Sequence, residues 1–199
     1  MGPSVLHNVS VSSDGQRLFA AADGGDREAQ FAIGWLLLRC LEAFTDDAVT
    51  GADPPDWGLA RRWLAPAAEA GHVEAQFELG VLLADRRSPA DLEGARSWFT
   101  SAATVGHVSA QVHLGALLGY RLDPPDLDGA RSWWTRAVDD HLRRDLVAYN
   151  LGILLADDFD PPDVDGARFW FTQAAEAGHP AAQDRLDGLS NGPPGGPLR

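Results

Sequence analysis

The chain copies itself at an interval of about 35 residues, and no other feature restricts its fold as much. Ala29-Gln-Phe-Ala-Ile-Gly34 returns as Ala75-Gln-Phe-Glu-Leu-Gly80, Ala110-Gln-Val-His-Leu-Gly115 and Val147-Ala-Tyr-Asn-Leu-Gly152. A second landmark keeps step: Ala60-Arg-Arg-Trp63, Ala95-Arg-Ser-Trp98, Ala130-Arg-Ser-Trp133 and Ala167-Arg-Phe-Trp170. The tryptophans are spaced 35, 35 and 37 residues apart. From the first landmark to the Trp the distance is 23 in the last three repeats and 34 in the first, which places an eleven-residue insertion between Arg39 and Ala52. A unit this short cannot bury its own apolar face, so the copies must stack.

Each unit reads as two helices. Ala75, Leu79, Leu82 and Leu83 fall on one stripe at helical period, and so do Ala95, Trp98, Phe99, Ala102 and Ala103. The segments Asp53-Pro-Pro-Asp56, Asp123-Pro-Pro-Asp126 and Asp160-Pro-Pro-Asp163 stop one helix with Pro and cap the next with Asp. Gly71, Gly106 and Gly178 end the second helices, where a left-handed residue costs least without a Cβ. The glycine of each Leu-Gly pair lies mid-helix and predicts close approach of a neighbouring backbone. Tryptophans 63, 98, 133 and 170, with Phe31, Phe77 and Tyr149, recur and are assigned to the scaffold. Arg96, Arg131 and Arg168 each follow an acid by three residues, the spacing of a solvated intrahelical ion pair. His72, His107 and His179 follow the helix-ending glycines and are expected to pack there. Pro66 should kink its helix.

These residues resemble a known family. The pattern Ala-x-aromatic-x-Leu-Gly, a following Ala-x-x-Trp-aromatic-x-x-Ala-Ala helix and then Gly-His is similar to the Sel-one-like repeat, a relative of the tetratricopeptide repeat. The resemblance covers residues 17 to 188. It implies an all-α, right-handed α-solenoid of helix-turn-helix repeats whose first helices line a concave surface. The sequence departs from the family at Leu83, Leu118 and Leu155, where an aromatic is usual, and in the Asp-Pro-Pro-Asp segment that replaces a Gly-x-Gly loop. The expected organisation is an N-terminal arm over 1–13, a solenoid over 14–188 capped at both ends, and a Gly/Pro-rich disordered tail over 189–199. Arg17 and Asp187, standing where full repeats have Trp and Gly, give the caps their polar character.

Composition removes many functions. All 16 basic residues are arginine, so every mechanism that needs a lysine amine is excluded. Cys40 is the only cysteine, which excludes an intrachain disulfide and a Cys-x-x-Cys zinc site. A formal net charge of −13, without a basic face, argues against a nucleic-acid partner. The longest apolar run, Phe31 to Leu38, is too short to cross a bilayer, and no secretory signal is legible, so a cytoplasmic protein is expected. Arginine in place of lysine, with heavy Ala, Gly and Pro usage, points to a GC-rich bacterial genome. Common catalytic motifs are missing. The cluster Asp157, Asp158, Asp160, Asp163 and Asp165 lacks calcium-loop spacing. No cofactor and no metal site is expected.

What varies between repeats is free to serve a ligand. The first-helix stripe away from the core reads Glu28, Ala32, Trp35, Arg39; then Glu74, Glu78, Val81, Asp85; then Ser109, His113, Ala116, Tyr120; then Leu146, Asn150, Ile153, Asp157. Five acids against one arginine, interspersed with aromatic and aliphatic residues, suit a protein or peptide that is basic or amphipathic. The chain is therefore expected to be a non-catalytic adaptor, monomeric or weakly dimeric. His113 is the one histidine on this stripe, able to hydrogen-bond a ligand or to act as a base with Glu78. The rival expectation is a small-molecule site or an enzyme at the irregular first repeat, around Trp35, Trp57 and the insertion.

Overall fold

The structure, a computed structural model, describes residues 12–46, 57–86, 89–139 and 143–191. Within them the chain is all-α, a helical-repeat solenoid, and it divides into two compact units at Asp91. The first unit contains α1 (Ser13–Asp23), α2 (Arg27–Asp46), α3 (Trp57–Glu69) and α4 (Val73–Val81), the last continuing into a π-helical turn, Leu82–Arg86. The second contains α5 (Leu92–Thr104), α6 (Val108–Tyr120), α7 (Leu127–Ala137) and α8 (Arg144–Ile153). A second π-helical turn, Leu154–Asp158, follows α8 and precedes α9 (Val164–Glu176) and α10 (Ala182–Asn191). Inside each unit every helix packs on the next in sequence.

The large apolar side chain of each second helix makes the core. Leu64, Phe99, Trp134 and Phe171 are 0–2% exposed. The recurring tryptophans one position earlier are half-buried, about 100° round the helix on the flank of the stripe. Alanines 60, 95, 130 and 167, together with Ala102, Ala103 and Ala174, complete the buried face.

The mid-helix glycines face this bulk. A Cβ on Gly34 would lie 2.7 Å from the Leu64 side chain, and one on Gly152 would lie 2.5 Å from the Phe171 ring. One on Gly115 would collide with the Trp134 indole. At Gly115 and Gly152 the neighbour that requires glycine is thus a side chain, not the passing backbone expected from sequence, whereas Gly34 also faces the Leu64 backbone nitrogen at 3.2 Å. In repeat three the indole N–H also donates to the Val112 carbonyl at 3.1 Å, so this buried Trp is satisfied.

Helix ends follow the sequence signals. Gly25, Gly71, Gly106 and Gly178 all have φ between +82° and +96°. Asp126 and Asp163 accept from the backbone N–H of Gly129 and Gly166 at 2.8 and 2.9 Å. The histidines cap rather than merely pack. His72 Nδ1 accepts from the Ala75 N–H, and His107 Nδ1 from the Ala110 N–H, both at 3.1 Å. His72 stacks on Phe31 with centroids 4.2 Å apart, and His179 stacks on Tyr149 at 3.9 Å. The Gln of each Ala-Gln landmark reaches back to the end of the preceding helix: Gln30, Gln76 and Gln111 donate to the carbonyls of Ala22, Ala68 and Ala103, each at 3.1 Å. Each of these carbonyls also accepts from the N–H of the helix-ending glycine, Gly25, Gly71 or Gly106, so the Gln adds a second donor at the helix terminus.

The irregular features have mixed outcomes. The α2 helix is 20 residues long, against 13 for α6, because it absorbs residues 41–46 of the insertion. Residues 47–56, which hold the rest of the insertion and Asp53-Pro-Pro-Asp56, lie outside the described residues, as do residues 1–11 of the arm and 192–199 of the tail. The α3 helix runs through Pro66 to Glu69. Arg131 pairs with Asp128 at 2.9 Å and Arg96 with Glu93 at 3.9 Å, as their spacing predicts. Arg168 instead donates to Ser190 Oγ at 3.2 Å, which ties α9 to the capping helix. Exposed Arg17, 3.7 Å from Asp14, gives α1 its polar face. No described helix is long and apolar enough to cross a membrane.

Candidate functional site

The first helices present the variable stripe by the same periodicity that buries their other face. Around Leu79, Leu82 and Leu83, at 2–3% exposure, Glu74 and Asp85 are exposed and Glu78 and Val81 half-buried. None of the sixteen stripe residues is buried. In the first unit, Trp35 is 37% exposed, and the Arg39 guanidinium lies 5.2 Å from its ring centroid. Glu28 accepts from His72 Nε2 at 3.1 Å, and Arg27 lies 3.6 Å away. Because His72 Nδ1 accepts the Ala75 amide, its proton is on Nε2 and points at Glu28. Glu28 therefore orients a capping histidine as well as facing solvent. Trp57, half-buried, opens α3.

In the second unit, His113 holds the Ser109 carbonyl through Nδ1 at 2.8 Å and tilts against Phe99 at 5.6 Å. Asn150 and Ile153 are half-buried on α8. Tyr120, 48% exposed, ends α6 with its ring 5.7 Å from that of Trp134. Burial, followed by the charges of Asp158 and Asp157, raises its phenol to about 12. Asp158 is also raised, by burial first and by Asp157 second.

Two residues that sequence reasoning left off the stripe complete this end. Asp157 is paired with Arg185, whose guanidinium also sits over the Phe171 ring at 5.4 Å. Their side chains are only 27% and 21% exposed, so Asp157 is not an open acid. Arg185 occupies in α10 the position that Glu78, His113 and Asn150 hold in the repeats, and aligning the capping helix through its own stripe would have revealed it. Asp158 stands one residue beyond the stripe, brought alongside by the π-helical turn, which advances the chain less per residue than an α-helix. The same Leu-Leu-Ala-Asp sequence forms the turn after α4, whereas Leu117-Leu-Gly-Tyr120 stays α-helical.

No group of three or more His, Cys, Asp or Glu able to hold a metal ion occurs among the described residues, the aspartates at 157–165 included. Two shallow depressions, of about 270 Å³ at Arg144, Gln173, Glu176 and Ala177 and about 440 Å³ at Glu93, Arg96, Ser97, Thr100 and Ser101, lie off the stripe.

The family model described as Sel1 repeat matches residues 50–72, 73–107, 108–140 and 146–179. The chain belongs to the Sel1 repeat family. A Sel1 repeat protein from Oxalobacter formigenes is 29% identical in sequence, with a TM-score of 0.67 over 89% of this chain and 49% of that one. The structure of c5321, a protective antigen of uropathogenic Escherichia coli strains displaying an SLR fold, is 28% identical, with a TM-score of 0.63 over 85% of this chain and 34% of that one. The chain thus spans about half the length of the first and a third of the second. No curated protein matches in sequence. The Sel1 matches lie between residues 50 and 179, inside the span of the sequence resemblance, and leave its first landmark, Ala29–Gly34, outside.

Proposed function

We propose that this Sel1 repeat chain is a non-catalytic adaptor that binds a protein or peptide on the variable stripe of its first helices. The family is commonly a protein-interaction scaffold. The observation that carries the reading is that none of the sixteen stripe positions is buried, beside a face buried to a few per cent. A surface that differs in every repeat, on helices whose other face is nearly identical, has the form of a recognition surface on a common scaffold. In the first unit its acids, Glu28, Glu74, Glu78 and Asp85, flank Trp35 and Val81, which suits a partner carrying basic and apolar side chains. Cytoplasmic placement belongs to the same proposal.

The test is a cross-linking pull-down from the native host with wild type and with a Glu74→Arg, Asp85→Arg double variant that keeps the wild-type helical circular dichroism. The acidic stripe predicts loss of the principal cross-linked partner in the variant. Equal capture by both proteins would refute it.

A further inference from the structure

We propose that His72 is a proton-operated switch on the acidic part of the stripe: on taking up a proton it exchanges its cap on α4 for a second stripe carboxylate. The inference rests on the reading of the stripe as an interaction surface and names how that surface is regulated. His72 is buried, at 7% exposure, and its two ring nitrogens have different duties. Nε2 donates to Glu28 at 3.1 Å, while Nδ1 accepts from the Ala75 N–H at 3.1 Å and so caps α4. The Glu74 carboxylate lies on the Nδ1 side, 3.7 Å away. Glu28 and Glu74 are both stripe residues, each opening the stripe of its repeat.

A second proton has one place to go. Nε2 already carries hydrogen, so the proton enters at Nδ1 and turns the cap acceptor into a donor. Two N–H groups then face each other, and the bond from Ala75 is lost. Glu74 is the acceptor at hand for the new N–H, so the imidazolium joins Glu28 and Glu74. The stack on Phe31, at 4.2 Å, keeps the ring in place through the exchange. From α3, His72 faces the Ala67 carbonyl, which accepts from its backbone N–H at 2.9 Å. From α2, Arg27 lies 3.6 Å from Glu28 and donates to the Ala70 carbonyl at 3.1 Å. Arg27 already shares Glu28, so the larger change on protonation falls on Glu74. The arrangement is particular to this repeat: Ser109 and Ala181 stand two residues after His107 and His179, where Glu74 follows His72. With His72 neutral, Glu28 and Glu74 offer their charge to a basic partner. With His72 charged, the imidazolium draws on both acids, and the helix that carries Glu74 and Glu78 loses its cap.

NMR of the isotope-labelled full chain between about pH 8 and about pH 5, the interval in which imidazoles ordinarily change charge, tests the switch. The ring is expected to be the Nε2–H tautomer at the alkaline end and doubly protonated at the acid end. Hydrogen-exchange protection of the Ala75 amide, corrected for the pH dependence of an unstructured peptide, should fall about fivefold in step with that proton, the size of a lost N-cap. The Glu74 carboxyl carbon should shift with the same midpoint. His72→Asn keeps a capping acceptor and takes no proton, so the Ala75 and Glu74 signals should lose that midpoint in the variant. An Nδ1–H tautomer at the alkaline end, a His72 that stays uncharged throughout, or a charged His72 with Ala75 protection unchanged would each overturn the switch. The same Ala75 midpoint in His72→Asn would overturn it too. These readouts involve no partner, whereas the Glu74 and Asp85 pull-down does, so failure of the switch is distinguishable from failure of the adaptor reading.

Discussion

At the scale of single residues, glycine and the bulk it faces act as one packing decision. Gly115 leaves room for Trp134, so Gly115→Ala must displace an indole that is fully buried and hydrogen-bonded to Val112. Overpacking of this kind costs about 1–3 kcal/mol, and here the helix-propensity gain of Ala, about 1 kcal/mol, offsets only part of it. Urea unfolding of Gly115→Ala should therefore show a net loss, and a gain in stability would contradict the packing described. His72 separates two roles in the same way. His72→Asn keeps a capping acceptor but loses the stack on Phe31, while His72→Ala loses both. The Ala variant should be the less stable by about 1 kcal/mol, the usual worth of an N-cap. The positions of these residues were visible as repeats, but their partners were not. A recurring Gly shows that space is needed and does not say whether backbone or indole fills it. A recurring Gly-His marks a helix end and leaves open which of two adjoining helices the ring serves.

At the scale of elements, the junctions between helices are held by a repeated backbone bond. The N–H groups of Asp91, Asp126 and Asp163 donate to the carbonyls of Leu83, Leu118 and Leu155 at 2.8–2.9 Å. Each of these leucines stands where an aromatic is usual in the family, so the departure from the pattern sits where the loop folds back on its first helix. Asp126→Ala and Asp163→Ala remove the side-chain cap and should cost about 0.5–2 kcal/mol each. Chemical denaturation checks the magnitude. Neighbouring first helices are also matched through the stripe, as Asp157 and Arg185 show. The equivalent positions in the first unit are Arg39 and Glu78, with the charges reversed. A double-mutant cycle on Arg39→Ala and Glu78→Ala should return a favourable coupling of roughly 0.5–1 kcal/mol, and additive effects would mean that the equivalence fails there. Helix count, caps and core face were legible in the sequence because each is written in a 3.6-residue period or a punctuating residue. The pairing of stripe charges was not, because it depends on how far one helix is shifted along the next. The π-helical turns were hidden for a related reason: Leu-Leu-Ala-Asp carries no breaker, and a widened turn comes from closing the loop rather than from local propensity.

At the scale of the whole molecule, a net charge of −13 means that folding gathers like charges, and the repulsion lowers stability to a degree that salt can screen. Raising salt from ~10 mM to ~150 mM shortens the screening length from about 30 Å to about 8 Å, so the thermal midpoint should rise. Asp158 concentrates the effect at one carboxyl. Its pKa is raised in the folded chain, so the folded state holds that proton more tightly than the unfolded state does. Stability must then fall as pH climbs from the ordinary aspartate range through the raised value, and it stays lower above it. Asp158→Asn should consequently raise the melting temperature at about pH 7, and the gain should shrink as the pH approaches the ordinary aspartate pKa of about 4. Tyr120 obeys the same sign at the other end of the scale. With its phenol raised from 10.0 to about 12, wild type should lose stability across that interval. The loss should be smaller in Asp158→Asn, because one of the charges that opposes ionisation is gone. Melting curves of the two proteins at matched ionic strength decide it: a gain from Asp158→Asn that grew towards acid pH would require Asp158 to be stabilised as an anion, the opposite of what its burial and the neighbouring Asp157 charge impose.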